Sequence, residues 1–193
     1  MKEFIVKNAR VVDPSRGIDE VGEICVKDGV FCGSVSGAAE VIDAKGLVLV
    51  PGFVDMHVHM REPGQTSKES IATGTAAAAA GGFTSAMAMP NTSPAADSPS
   101  TIRLINDIIS ESAKIRVYQS GCITEGRRGE KLAPIGSLAR LGVRAITDDG
   151  SCVQSAELMR NAMVYAKMFG LFVMDHCQEY TLTKTGQMRG SGL

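Results

Sequence analysis

The sequence predicts an α/β fold that follows a short β region. Three observations carry that reading. From residue 47 onward, short apolar runs alternate with helix-like segments. The apolar runs end near residues 57, 89, 122, 148 and 175, a recurrence of about 26–33 residues. Polar, chemistry-bearing residues gather at those ends, all three histidines among them. Strand–helix alternation of this kind implies parallel strands joined by right-handed crossovers. It fits a closed barrel and a doubly wound sheet equally well.

Residues 1–50 read as a small β domain. Phe4–Val6, Gly22–Lys27, Val30–Val35 and Val41–Ile42 are apolar segments divided by Asp13-Pro14-Ser15 and Asp28-Gly29. Asp-Gly between apolar flanks is a strong hairpin signal. Residues 51–193 read as five β/α units. The first strand runs through Phe53–His59. Thr66 and Glu69 have the spacing of a capping box, opening an Ala-rich helix that stops at Gly81-Gly82. A second strand spans Phe83–Met89. Ser98 followed by Pro99 then marks a helix start, with Leu104, Ile105, Ile108 and Ile109 on one apolar face. Ile115–Cys122 is the third strand, followed by a weaker helix over Leu132–Leu141. Val143–Thr147 is the fourth. A helix from about Ser155 ends near Gly170, and Leu171–Asp175 is the fifth strand.

Composition narrows the function. Twenty Lys and Arg against twenty-one Asp and Glu leave a formal charge of −1, which argues against a nucleic-acid or anionic-membrane surface. No apolar run approaches the ~18–20 residues of a membrane span, and Met1-Lys2-Glu3-Phe4 opens no signal-peptide core. The five cysteines are odd in number and form no C-x-x-C pair, so reduced thiols in a cytoplasmic protein are expected.

The strand ends locate the chemistry, because ligands of parallel α/β folds bind beyond the carboxyl ends of the strands. In order these ends carry His57-Val58-His59-Met60-Arg61-Glu62-Pro63, Met89-Pro90-Asn91, Asp148-Asp149-Gly150 and Asp175-His176-Cys177. Side chains alternate along a strand, so His57 and His59 face the same way and can chelate one divalent cation. A bare His-x-His is more often a packed pair. A third histidine and a carboxylate at the same rim reverse that preference. Asp148-Asp149-Gly150 alone is ordinary turn chemistry; at this rim an aspartate there could bridge two metals, with His176 on the second. Arg61 offers a planar guanidinium suited to a carboxylate, and Asn91 an amide donor to the same anion. A Cys177–His176 nucleophile is disfavoured, since adjacent strand residues point apart.

The stretch Asp55-Met56-His57-Val58-His59-Met60-Arg61-Glu62-Pro63-Gly64 resembles the signature of the dihydroorotases, cyclic amidohydrolases of pyrimidine synthesis. The likeness continues through Ala79–Thr84, Met89–Thr92, Thr147–Gly150 and Asp175–Cys177, and is closest to the longer bacterial type. In that type an aspartate takes the place that carbamylated lysine holds in related enzymes. The resemblance implies a (β/α)8 TIM barrel of the metal-dependent amidohydrolase class, here incomplete. His57 and His59 would hold one zinc, Asp149 would bridge, and His176 would hold a second. His59, Arg61 and Asn91 would contact the substrate, Arg61 and Asn91 through the carboxylate of dihydroorotate. The implied reaction is reversible, metal-assisted hydrolysis of dihydroorotate to carbamoyl aspartate. Implied partners are the small-molecule substrate, a second copy of the chain, or aspartate carbamoyltransferase.

The chain also departs from that pattern. The family has a further histidine on the sixth strand and an acid/base aspartate on the eighth, and neither can be assigned here. A barrel takes ~250 residues, whereas about 140 follow residue 51. The length therefore reads as a cut after the fifth strand, in the loop Gly190–Leu193. The isolated chain is expected to be poorly active and to expose an apolar face. A hydantoinase, dihydropyrimidinase or allantoinase is the alternative within the class, but these usually carry a bridging lysine and none lies in Ala145–Ser151. A non-catalytic scaffold, for example a partner of aspartate carbamoyltransferase, is the alternative from another class: the missing half speaks for it, and intact His57 and His59, which an inactive homologue does not need, speak against it.

Overall fold

A computed structural model describes residues 3–35 and 39–183; the Gly190–Leu193 segment falls outside them. The chain divides into two compact units, Met1–Gly52 and Phe53–Leu193. In the first unit, β1 (Phe4–Asp13) pairs antiparallel with β2 (Ile18–Lys27), and the register shifts between Val6 and Ala9. Asn8 sits in that irregularity with φ 63°. β2 turns into β3 (Val30–Cys32) across Asp28-Gly29, whose φ values of 55° and 77° are the positive pair that a tight two-residue hairpin turn requires. β4 (Glu40–Asp43) and β5 (Val48–Leu49) both lie parallel to β1. The Asp-Gly hairpin stands where the sequence predicts it. β1 is longer than the apolar Phe4–Val6 run, because Ala9 and Val11 continue the buried face past the bulge.

The second unit alternates strands and helices. β6 (Phe53–Val58), β7 (Phe83–Ala88) and β8 (Arg116–Gln119) form one parallel sheet in that order. β9 (Ala145–Ile146) and β10 (Phe172–Val173) form a parallel pair. A parallel bridge between Gly121 and Ile146 links the end of β8 to β9. Spatial order therefore follows chain order without a reversal. Between the strands run α1 (Ile71–Ala80), α2 (Pro99–Ser112), α3 (Ile135–Ala139) and α4 (Ala156–Lys167), with a short α5 (Tyr180–Thr183) after β10. Ser98 and Ser155 cap α2 and α4, accepting from the amides of Thr101 and Leu158 at 3.3 and 3.2 Å. α1 corrects the expected capping box. Its N-cap is Ser70, paired reciprocally with Thr73, while Gln65 and Lys68 donate their amides to tight turns that leave Thr66 outside the helix.

The strands separate two sets of side chains. Ala86, Ala88, Ile102, Ile105, Ile135, Leu138 and Ile146 join the core beneath the helices. Met87, Met89 and Ala145 pack with Met174 as a second cluster, as period-two alternation demands. Val58 and Met60 belong with the helix-side core, so His57 and His59 project from the other face. The apolar Phe53, Val54 and Met56 of β6 remain exposed.

The loops beyond β6 and β7 are zipped together, with Ser93 donating its amide to the Pro63 carbonyl at 3.0 Å. Gly64 permits that approach. Its φ is +95°, and a Cβ there would overlap the Ser93 carbonyl oxygen. The pairing holds Arg61 and Asn91 on adjacent loops.

Candidate metal centre

Asp149 is the hub. Its carboxylate, 7% exposed, lies 3.2 Å from His57 Nε2, 3.5 Å from His59 Nε2 and 3.6 Å from His176 Nδ1. Four residues from three strand ends thus converge, as the sequence predicts. The ligating atoms of His57, His59 and Asp149 all lie within 4.8 Å of one another. Two imidazole nitrogens and a carboxylate oxygen at that separation can surround one cation, since such bonds run ~2.0–2.2 Å. The donor set fits a divalent metal.

Hydrogen bonds assign the lone pairs. His59 Nδ1 lies 2.9 Å from Asn91 Oδ1, an acceptor, so the ring proton sits on Nδ1 and Nε2 is left facing Asp149. His176 Nε2 meets Gln178 Oε1 at 3.3 Å, which by the same reasoning leaves Nδ1 free. Outer partners of this kind fix the tautomer and the ring orientation of a ligating histidine. Asn91 is therefore bound to the centre itself, beyond any contact with an anion.

Asp148 faces away. Its Oδ1 accepts from the amides of Ile123 and Thr124 at 2.8 and 3.0 Å, and its Oδ2 accepts from the Thr124 hydroxyl. Burial pushes its carboxyl above the usual range, opposed by those hydrogen bonds and by Arg127. Of the two aspartates, Asp149 is the one that faces the histidines, an orientation that the Asp-Asp-Gly pattern leaves open. Arg61 follows β6 in a left-handed conformation, φ 55°, with its carbonyl accepting from Gln65 at 2.9 Å. Among the described residues nothing hydrogen-bonds its guanidinium. The neighbouring Glu62 accepts from the Ile71 amide at 2.8 Å, which secures the loop to the start of α1.

Three residues at this rim escape sequence reasoning. Gln178 and Thr124 show no pattern that sets them apart from other polar loop residues. Arg127 sits in a short 3-10 turn, Glu125–Arg127, and donates to the Asp149 carbonyl.

Residues 46–192 match the dihydro-orotase-like family. The chain belongs to that family. A dihydroorotase of Citrifermentans bemidjiense is 45% identical over 190 residues, covering 96% of this chain and 45% of that protein. A dihydroorotase of Geobacter sulfurreducens is 44% identical with the same coverage. The chain thus spans about 45% of the length of these dihydro-orotase-like relatives. Its fold is similar to that of an L-hydantoinase (dihydropyrimidinase) from Arthrobacter aurescens, with a TM-score of 0.78 at 23% identity, covering 95% of this chain and 42% of that one. A D-hydantoinase gives a TM-score of 0.74 at 24% identity, over 91% of this chain and 40% of the other. No described helix is long and apolar enough to cross a membrane.

Proposed function

We propose that these residues form part of a dihydroorotase site, which interconverts (S)-dihydroorotate and N-carbamoyl-L-aspartate. The observation that carries the reading is the convergence of His57, His59 and His176 on Asp149 in a chain 42–45% identical to curated dihydroorotases. The proposed domains are a β domain over residues 1–50 and the first five units of a (β/α)8 barrel over 51–193. Strand neighbours that follow chain order support a barrel over a doubly wound sheet, in which that order reverses. The hydrolysis is a proposal for a protein in which the remaining catalytic residues are present.

His57, His59, Asp149 and His176 would be the residues that hold zinc here. Bound zinc supplies Lewis-acid activation of a ring amide. The residues of this chain then bind and orient. Arg61 clamps the substrate carboxylate in a bidentate pair. Asn91 keeps its carbonyl oxygen on His59 and turns its amide N–H groups to the same carboxylate, so one side chain couples the metal ligand to the substrate.

Dihydrouracil is dihydroorotate without the carboxylate, and comparing the two as ligands tests the proposal. The zinc-loaded chain should bind dihydroorotate at least ~10-fold more tightly, and Arg61→Ala should abolish the difference, as expected for a charge-assisted bidentate contact. Equal affinities in the parent chain would exclude dihydroorotate as the preferred ligand and favour a hydantoinase-type site.

A further inference from the structure

We propose that Arg127 is a positioning residue for the metal centre, holding the Asp149 peptide so that the carboxylate stays aimed at the histidines. The inference rests on the metal reading above. Asp148 and Asp149 are consecutive, yet one carboxylate is drawn to Ile123 and Thr124 and the other faces His57, His59 and His176. Rotation of the backbone at Asp149 would misdirect its carboxylate. Arg127 opposes that rotation through the hydrogen bond to the Asp149 carbonyl. The same terminal nitrogen lies 3.3 Å from where a Cβ on Gly150 would stand, and Asn91 Nδ2 lies 3.9 Å from that point. Arg127 therefore packs at the junction of the Asp149-Gly150 turn with the residue that orients His59.

The clamp is itself anchored. Gly126 donates its amide to Asp97 at 2.7 Å, and Arg127 donates its own to the Thr124 carbonyl at 3.0 Å. Thr124 is also the residue that binds Asp148. Arg127 is held in the left-handed region, φ 58°, which is uncommon outside glycine and asks for a compensating role. Among the described residues its Nε is the one buried side-chain nitrogen or oxygen without a hydrogen-bond partner.

Titration of the full chain with Co2+, followed by visible absorption and by thermal melting, tests the role. R127M should weaken cobalt binding ~10–100-fold, the usual effect of losing an outer-shell partner, and should alter the saturated spectrum, with the Tm of the metal-free chain nearly unchanged. R127K, with a donor but no planar fork, should fall between parent and R127M. R128M, at the exposed neighbouring position, should match the parent. R127M affinity within about twofold of the parent overturns the proposal. If R127M fails to fold, R127K decides: weakened binding at the parent Tm supports the role, and parent-like binding overturns it. A parent chain that takes up no cobalt refutes the metal reading and this inference together, and is recognised because the failure is already present in the parent.

Discussion

Asp148 and Asp149 show how one peptide unit divides structure from chemistry. Removing the Asp148 carboxylate strands two buried amides and the Thr124 hydroxyl, so Asp148→Ala should lower stability by about 2–5 kcal/mol. Asp149→Ala leaves those donors paired. Stripped of metal it should melt close to the metal-free parent, while failing to take metal up, and the two variants are compared by thermal unfolding of the metal-free chains and by metal analysis. Interchanged phenotypes would overturn the assignment. Cysteine chemistry separates in the same way. Burial pushes the Cys122 thiol far above its ordinary range, whereas Cys177 is exposed, and thiolate fraction and access control reactivity. Mass spectrometry after brief iodoacetamide treatment of the folded chain should find Cys177 alkylated and Cys122 untouched. Of these residue-level features, His57, His59, Asp149 and His176 are legible as a group in the sequence because strand ends gather them at one rim. The choice between adjacent aspartates is not, since it depends on amides 24 and 25 residues away.

At the scale of elements, caps and turns are written locally and are read well. Ser98-Pro99, Ser155, Gly81-Gly82 and Asp28-Gly29 act where their chemistry predicts. The start of α1 is misread because two acceptable capping pairs lie four residues apart, and tertiary turns at Gln65 and Lys68 choose between them. The Pro63–Ser93 zipper has no local signature, since it joins residues 30 positions apart. Its dependence on Gly64 is testable: Gly64→Ala adds both a left-handed strain and a clash with Ser93. A loss of about 1–3 kcal/mol is expected, with weaker binding of the proposed ligand, dihydroorotate, as the Arg61 and Asn91 loops part. Binding and melting like the parent would contradict the zipper's role. In the β unit, the Ser15 hydroxyl, Arg10 and Asn8 hold the carboxyls of Asp13, Asp19 and Asp43 below their ordinary values. Each then binds fewer protons folded than unfolded, so its stabilising contribution is present above the ordinary carboxylate range and is lost as pH falls through the lowered pKa. Melting of the full chain should therefore decline on acidification, and less steeply in an Asp19→Asn, Asp43→Asn double variant. Identical pH slopes would contradict it.

Over the whole molecule, the alternation of strands and helices is enough to put every candidate residue at a predicted strand end. Alternation could not order the strands; that order comes from β6-β7-β8, the Gly121–Ile146 bridge and β9-β10. Both levels meet in the centre around Asp149, where rigid strands supply the ligands and the loops between them supply Asn91, Gln178 and Arg127. Zinc retained per chain after exhaustive dialysis, measured side by side for the parent, His57→Ala and Asp149→Ala, tests that centre most directly. The parent should keep at least one equivalent and each variant should lose it. A parent that emerges free of zinc, or an Asp149→Ala chain that keeps as much as the parent, would contradict the account.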